Sequence, residues 1–286
     1  MSEAALFVVA TPIGNLGDMS ERAIRVLKDV DIVAAEDTRQ TLKLFSHFGI
    51  RRKELISYND HGEEQRARKL VERLVREGLS MALVTDAGTP AISDPGYRLV
   101  GEARAAGVKV HPVPGPSALT TLVSVSGLAS DRFLFIGFLP TKAQALRSEV
   151  ASWRGGRASV VFYESPRRLR STLKVIAEVY PGARLAIGRE LTKLHEEIVV
   201  SSIEDAMAWA DAHESMKGEA VVMVEVPVDS GTPLADVEVK LRLEAQEMFA
   251  EGRSLRDVLL VLKDRGLPRQ QLYQMLLEVK DDEDYR

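Results

Sequence analysis

The chain has 286 residues, of which 45% are hydrophobic and 28% charged, with a formal net charge of −4 and no cysteine. This balance is typical of a globular protein with room for two domains. The lack of cysteine excludes disulfides, thiolate metal sites and cysteine nucleophiles, and it fits a reducing cytoplasm. No apolar run approaches the ~20 residues of a membrane span, and no basic region precedes the first apolar run, so we expect neither a membrane segment nor a signal peptide.

Short strand-like runs alternate with helical patterns over the first third of the chain. Such alternation predicts a parallel sheet covered by helices. Ser20 is a typical helix N-cap, and Gly78 and Gly107 lie where helix C-caps are expected. The predicted strands are 6–10, 31–35, 54–57, 81–84 and 109–112, and the predicted helices are 20–28, 38–48, 63–77 and 97–106.

The pattern changes after a further helix at 116–125. Two later strands are separated only by the loop around Glu190 and Lys193, which predicts an antiparallel pair and therefore a mixed sheet. Residues 227–233 have the composition of a linker, and helices follow it. The strands predicted here are 132–138, 159–163, 185–188, 196–201 and 220–226, and the final helices are 234–250, 254–264 and 268–279.

These patterns predict an α/β protein in three parts. Residues 1–115 form a domain with a mainly parallel sheet, residues 116–228 a domain with a mixed sheet, and residues 233–286 a helical appendage that resembles a helix-turn-helix. One hypothesis is that the chain is a nucleic-acid-binding protein that acts through these C-terminal helices. In the appendage, acidic residues outnumber basic ones, which favours a packing or dimerisation role instead.

Four loops that follow strands of the predicted parallel sheet are rich in glycine, proline, hydroxyl and acidic residues. They span residues 11–18, 36–39, 85–90 and 112–118. Because all four emerge at the carboxyl edge of a parallel sheet, where ligands bind, we expect them to form one cleft. Neither a spaced glycine triplet nor a Gly-Lys-Ser/Thr phosphate loop is present. A ligand recognised by backbone groups and a carboxylate, such as an adenosine-plus-amino-acid cofactor, fits this composition.

The motifs in these loops, together with residues 57–61, 162–168 and 188–193, resemble the tetrapyrrole-methylase superfamily. Within it they are most similar to the bacterial 16S ribosomal RNA (cytidine-2′-O)-methyltransferases. The likeness covers residues 5–226 and extends to the helical appendage. The loop motifs are Ala10-Thr11-Pro12-Ile13-Gly14-Asn15-Leu16, Glu36-Asp37-Thr38-Arg39, Asp86-Ala87-Gly88-Thr89-Pro90 and Pro114-Gly115-Pro116-Ser117-Ala118.

The resemblance implies two α/β domains with S-adenosylmethionine bound in the cleft between them. It also implies a cytoplasmic homodimer that methylates a cytidine ribose in the decoding centre of 16S rRNA, within the small ribosomal subunit. Core packing is the alternative role for Phe162, and Asp94 is expected only to shape a turn. The implied cofactor residues are Pro12, Asp86, Gly88, Thr89, Ser117, Ala118, Phe162, Tyr163 and Ala220.

Methyl transfer to a ribose hydroxyl needs precise positioning and a group that assists the hydroxyl. Glu36 or Asp37 is predicted to give that assistance, with Lys193 as a third catalytic candidate. The alternative for Asp37 is to cap the following helix and to pair with Arg39. No metal ligand is predicted.

An RNA-modifying enzyme with net negative charge must concentrate positive charge locally, since phosphate contacts carry most non-specific affinity. We therefore predict a basic track on the side of the cleft. A corrinoid or porphyrin methylase is the alternative enzyme, and it would need an apolar trough rather than these residues. The RNA-binding residues predicted are Arg39, Lys43, Arg51, Arg52, Lys53, Arg167, Arg168 and Arg189.

Overall fold

A computed structural model describes residues 4–51, 53–59, 63–154, 158–213, 217–227, 234–263, 267 and 269–284. The chain forms two compact units, one that ends at Pro227 and one that begins at Val228. Within the described ranges, no helix combines the length and the apolar character that a membrane crossing requires.

The first unit contains a five-stranded parallel sheet, as predicted. Its strands are β1 (Ala5–Val9), β2 (Ile32–Ala35), β3 (Glu54–Ser57), β4 (Ser80–Val84) and β5 (Lys109–Val113), and its helices are α1 (Glu21–Asp29), α2 (Thr38–His47), α3 (Glu63–Glu77) and α4 (Tyr97–Ala105). The strand order is β3-β2-β4-β1-β5. Alternate residues of β4 enter two different hydrophobic clusters, with Met81 and Leu83 in one and Ala82 and Val84 in the other. Both faces of the sheet are therefore covered, which is why β2 and β4 read as continuous apolar runs.

A second five-stranded sheet of the same unit is mixed, which confirms the predicted change of pattern. Its strands are β6 (Phe133–Phe138), β7 (Ser159–Glu164), β8 (Arg184–Arg189), β9 (Glu197–Ser202) and β10 (Ala220–Glu225). The order is β6-β7-β10-β8-β9, with β6 and β7 parallel and the other neighbours antiparallel. The pairing of β8 with β9 is the antiparallel pair that the short loop predicted.

Among the described residues, four helices accompany the second sheet, and only the first of them was predicted. They are α5 (Ala118–Val125), α6 (Ala143–Ser152), α7 (Pro166–Val179) and α8 (Ile203–Ala212). The apolar residues of α7 recur at helical spacing, and Leu169, Leu173 and Ile176 are all buried in one cluster. Helix α7, which was not predicted, thus has the amphipathic pattern typical of a helix that packs on a sheet.

The described part of the second unit contains three helices, as predicted. They are α9 (Leu234–Ala250), α10 (Leu255–Leu262) and α11 (Arg269–Asp284). Leu241, Val258 and Leu276 belong to one buried cluster that joins all three helices. Ser254 caps α10, because its hydroxyl accepts a hydrogen bond from the Asp257 amide. The unit therefore has a hydrophobic core of its own.

Candidate active site

The four predicted loops are bound to one another at the carboxyl edge of the first sheet. The amides of Thr11 and Gly88 each donate to the carbonyl of the other, at 2.9 and 3.0 Å. The Asp86 amide donates to Glu36 Oε2 at 3.1 Å. The hydroxyl of Thr89 donates to the carbonyl of Pro116 at 3.1 Å. These contacts link all four loops, so the predicted convergence is confirmed.

A cleft of about 510 Å³ opens between these loops and the ends of strands from the second sheet. It brings together most of the residues that the sequence assigned to a cofactor and to catalysis. Asp94, which was expected only to shape a turn, also lines the cleft. The predicted residues that line the cleft are Glu36, Asp86, Gly88, Thr89, Ser117, Ala118, Tyr163, Arg168, Lys193 and Ala220.

Pro12 and Phe162 lie outside the cleft lining, contrary to expectation. Pro12 borders a smaller neighbouring pocket instead. Phe162 is fully buried and packs against Trp153, with ring centroids 6.0 Å apart. Successive side chains of a strand face opposite sides of its sheet. Tyr163 therefore faces the cleft, and Phe162 takes the core-packing role that was its alternative.

Asp37 is engaged as a helix cap rather than directed into the cleft. Its carboxylate accepts the Arg39 amide at 2.8 Å, in the first turn of α2, and forms an ion pair with the Arg39 guanidinium at 2.6 Å. These contacts lower the pKa of Asp37 from 3.8 to about 2. The structure thus matches the alternative reading of Asp37, and a carboxylate of such low pKa is a poor proton acceptor.

Asp86 has the opposite electrostatic character. Burial raises its pKa above the usual 3.8, and the neighbouring charge of Asp37 acts in the same direction. The Asp37 amide, which donates to Asp86 Oδ1 at 3.1 Å, and the charge of Arg39 oppose this shift without cancelling it. Among these acids, Asp86 is therefore the one whose environment favours accepting a proton.

Lys193 reaches from the second sheet towards the loops of the first. Its ammonium lies 2.8 Å from Glu190 Oε1 and 3.0 Å from Glu219 Oε2. Burial acts to lower the pKa of Lys193, but these two carboxylates raise it above its usual value, so the side chain is charged. A Cβ atom at Gly14 would overlap the Lys193 side chain. Glycine at position 14 is therefore required for this approach.

Backbone strain is concentrated around the cleft. Ala91, Ser93, Glu190 and Thr192 have φ values of 68°, 63°, 50° and 66°, and they are the non-glycine residues with positive φ in the described ranges. Two of the four, Ser93 and Glu190, line the cleft, and the other two belong to the same loops. Strained residues of this kind persist where the surrounding structure holds them, commonly at functional sites.

Replacement of Gly218 by alanine tests how tightly the Glu190 loop is held. Gly218 has φ +98°, and its Cβ would overlap the Glu190 carboxylate. Gly182 provides the matched control, because its φ is +73° but nothing lies within 4 Å of its Cβ. We expect Gly182→Ala to lose about 1 kcal/mol of unfolding free energy from backbone strain. Gly218→Ala should lose ~1–3 kcal/mol more through overlap, and equal losses in urea titrations would contradict this packing.

Phe138 is a cleft residue that sequence reasoning missed. The pairing register of β6 with β7 shifts between Phe135 and Phe138, and Gly137, which lies between these two residues, has φ +68°. Bulges re-aim side chains and are common beside active sites. The result is that Phe138 lies edge-on to Tyr163, with ring centroids 5.6 Å apart. A glycine inside an apolar strand was the available indication of such a bulge.

The predicted basic track is not continuous. Arg39 and Lys43 lie on α2, which begins at the carboxyl edge of the first sheet, and Lys43 borders the smaller pocket. Arg51 and Lys53 lie just before β3, where the amino-terminal ends of the strands of that sheet lie, opposite the carboxyl edge. The charge of Lys53 accordingly acts on Asp31, which precedes β2. The ten residues of α2 span about 15 Å, so these two groups of cations are on different sides. Arg52, Asp60 and His61 lie outside the described residues.

The remaining predicted RNA contacts also divide. Arg167 is exposed in the first turn of α7, beside the cleft. Arg168 instead donates to the carbonyls of Leu139 and Pro140, the shortest contact being 2.8 Å. Arg189 lies 3.2 Å from a carboxylate oxygen of Glu197, between β8 and β9. Both Arg168 and Arg189 therefore make contacts within the protein in the described structure.

Comparison with known proteins places this architecture in a family. Residues 5–207 match the model of the Tetrapyrrole (Corrin/Porphyrin) Methylases. The chain is 41% identical over 281 residues to the Ribosomal RNA small subunit methyltransferase I of Halalkalibacterium halodurans, with 95% of this chain and 94% of that one covered. It is 43% identical over 280 residues to the protein of the same name from Mesorhizobium japonicum, with 98% and 93% covered.

A solved structure agrees with these matches at the level of the fold. Uroporphyrin-III C-methyl transferase from Thermus thermophilus, complexed with S-adenyl homocysteine, has a TM-score of 0.51 and 17% identity to this chain, and the match covers 78% of this chain and 98% of that one. The family model covers more than half of this chain, and the relatives align over nearly all of it. This chain therefore belongs to the tetrapyrrole (corrin/porphyrin) methylase family.

Proposed function

We propose that this chain transfers the methyl group of S-adenosylmethionine to the ribose 2′-hydroxyl of a cytidine in the decoding centre of 16S rRNA. One observation carries the proposal. A cleft of four interlocked loops occurs in a chain whose relatives, 41–43% identical over nearly its whole length, have the name of a ribosomal RNA methyltransferase. The loop motifs support the choice of a cytidine ribose, and the lack of cysteine supports a cytoplasmic location.

The cleft fits the cofactor in size and in chemistry. Its volume of about 510 Å³ lies within the range of sites for small molecules, ~300–1,000 Å³. Carboxylates suit the positive charges of the cofactor, and hydroxyl and aromatic groups suit its ribose and adenine. When bound, the cofactor supplies a methyl group on a positively charged sulfur. The residues that we propose to hold it are Asp86, Gly88, Thr89, Ser117, Ala118, Tyr163 and Ala220.

Asp86 is the residue that we propose to take the proton of the ribose hydroxyl. It lines both the cleft and the smaller pocket, so this residue belongs to the wall that the two share. Glu36 accepts the Asp86 amide and so fixes the position of the Asp86 carboxylate. A ribose hydroxyl is a weak nucleophile at neutral pH, and a carboxylate of raised pKa is a better base than an ordinary one. Glu36 thus acts as the positioning residue and Asp86 as the proton acceptor.

Positive charge beside the cleft and the smaller pocket supports contact with RNA phosphates. The Arg39 side chain is 85% exposed despite its ion pair with Asp37, and Lys43 and Arg167 are exposed as well. Arginine and lysine side chains bind phosphate oxygens through charge-assisted hydrogen bonds. We propose that Arg39, Lys43 and Arg167 bind the RNA backbone and that Lys193 orients the ribose.

We also propose that the protein acts as a homodimer on the small ribosomal subunit. The strand β6 lies at an edge of the second sheet and exposes Phe133 and Leu134. Apolar and aromatic side chains are enriched in the buried parts of subunit interfaces.

In the test, the purified protein is incubated with labelled S-adenosylmethionine and with one of two acceptors: small ribosomal subunits that lack the modification, or a tetrapyrrole. We expect label in the RNA. Label on the tetrapyrrole alone would establish the corrinoid or porphyrin alternative, and no label on either would overturn both.

A chain that ends at Pro227 keeps both sheets and should still bind the cofactor. Loss of cofactor binding in that chain would contradict a site built by the two sheets.

A further inference from the structure

A second pocket lies beside the cleft, and the proposed cofactor does not account for it. Its volume is about 200 Å³, and Asp86 belongs to the lining of both cavities. Sites for drug-sized ligands are typically ~300–1,000 Å³. This pocket is thus suited to a single small ring system and is too small for a tetrapyrrole.

The lining of the smaller pocket combines apolar side chains with hydrogen-bonding groups. Pro12, Leu16 and Leu44 provide apolar surface. Gln40 and Lys43 provide polar groups, and the Lys43 ammonium donates to Gln40 Oε1 at 3.1 Å. A nucleobase has the matching properties, since its two faces are apolar and its edge carries donors and acceptors.

Thr85 gives an independent indication that this pocket takes a polar ligand. The residue lines the pocket and is 4% exposed. Its hydroxyl is the one buried side-chain polar group in the described part of the chain that lacks a hydrogen-bond partner. Native proteins seldom leave such a group unpaired, and an exception calls for a specific explanation. A ligand with a hydrogen-bonding edge in this pocket would supply the missing partner.

We propose that this pocket receives the pyrimidine base of the acceptor nucleotide, swung out of the RNA strand so that the attached ribose reaches Asp86. The inference rests on the function proposed above. Enzymes that act on one nucleotide commonly remove it from its stack and read the edge of its base. Here Thr85 and Gln40 bind that edge, while Leu16 and Leu44 contact its faces. The shared wall at Asp86 then directs the 2′-hydroxyl towards the cleft.

Three variants test the pocket. Thr85→Val removes the unpaired hydroxyl with almost no change of shape, so it should leave stability unchanged or higher. Gln40→Ala removes the amide, and Leu16→Trp fills the mouth of the pocket. Leu42→Trp is the matched control for the last, because Leu42 is 43% exposed and Leu16 39%, yet Leu42 does not line the pocket.

Each variant is compared with the wild type for methyl transfer to unmodified small ribosomal subunits and for binding of S-adenosylhomocysteine. For Thr85→Val, Gln40→Ala and Leu16→Trp we expect kcat/KM for the subunits to fall at least ~10-fold. The Kd of S-adenosylhomocysteine should stay within ~2-fold, because the two cavities are distinct. If the wild type methylates the subunits while these variants match Leu42→Trp, the base pocket is wrong and the enzyme activity stands. If the wild type places no label on RNA, the proposed function fails and this inference with it.

Discussion

Replacement of Asp86 by asparagine is expected to lower kcat for methyl transfer about 100-fold or more, the usual range for loss of a general base. Asparagine keeps an oxygen that can accept the Asp37 amide, the contact that Asp86 Oδ1 makes at 3.1 Å. The loop should therefore retain its shape. S-adenosylhomocysteine lacks the sulfonium charge, so its Kd should change less than ~3-fold in this variant.

The pH profile distinguishes a proton acceptor from a residue that only shapes the loop. Because the pKa of Asp86 is raised by burial, the fraction of active carboxylate falls as the pH is lowered through a value above 3.8. The wild type should show this acidic limb in kcat/KM, and Asp86→Asn should lack it. Asp18→Asn is the control, since Asp18 is exposed and outside the cleft lining. An unchanged acidic limb in Asp86→Asn would exclude Asp86 as the base.

Replacement of Arg168 by alanine is expected to lower the free energy of unfolding by about 3 kcal/mol, because it leaves a buried carboxylate without its cation. The Glu164 side chain is 1% exposed and lies 3.4 Å from the guanidinium. Glu164 also accepts the Thr172 hydroxyl at 2.7 Å and the Ser165 amide at 2.8 Å. These hydrogen bonds hold the Glu164 carboxyl group in place, so the group remains buried when Arg168 is removed.

Tryptophan fluorescence in urea measures this loss where it occurs. Both tryptophans of the chain, Trp153 and Trp209, pack with the core of the second sheet. Arg167→Ala is the matched control, because Arg167 is exposed. It should change stability by less than ~0.5 kcal/mol and instead weaken RNA binding. If Arg168→Ala left unfolding unchanged and reduced only RNA affinity, the sequence prediction for Arg168 would be correct and the structural role wrong.

The architecture of the site was predictable because it follows from local patterns. Strands that end in loops rich in glycine, proline and acids must place those loops at one edge of a parallel sheet. The hydrogen bonds between Thr11 and Gly88 and between Asp86 and Glu36 are the outcome. The antiparallel pair β8 and β9 followed in the same way from a short loop.

Other parts of the site depend on contacts between distant residues, and a linear pattern does not contain them. Phe162 and Tyr163 are neighbours of similar character, and only the packing of β7 decides which one faces the core. Arg51 and Lys53 follow Arg39 closely in sequence, but α2 carries the chain across the sheet before they occur. Arg168 is a cation in a basic run, yet the two carbonyls to which it donates, those of Leu139 and Pro140, come from a different loop.

The identity of the methylated atom tests the proposed reaction most directly. After transfer from labelled S-adenosylmethionine to unmodified small ribosomal subunits, the RNA is hydrolysed in alkali and the labelled products are identified by mass spectrometry. A methyl group on a 2′-hydroxyl blocks alkaline cleavage at that nucleotide, because the hydroxyl is the attacking group. We predict that the label is found as 2′-O-methylcytidine in an alkali-resistant dinucleotide. Label on a base, recovered in mononucleotides, or no label in the RNA would contradict the proposed reaction.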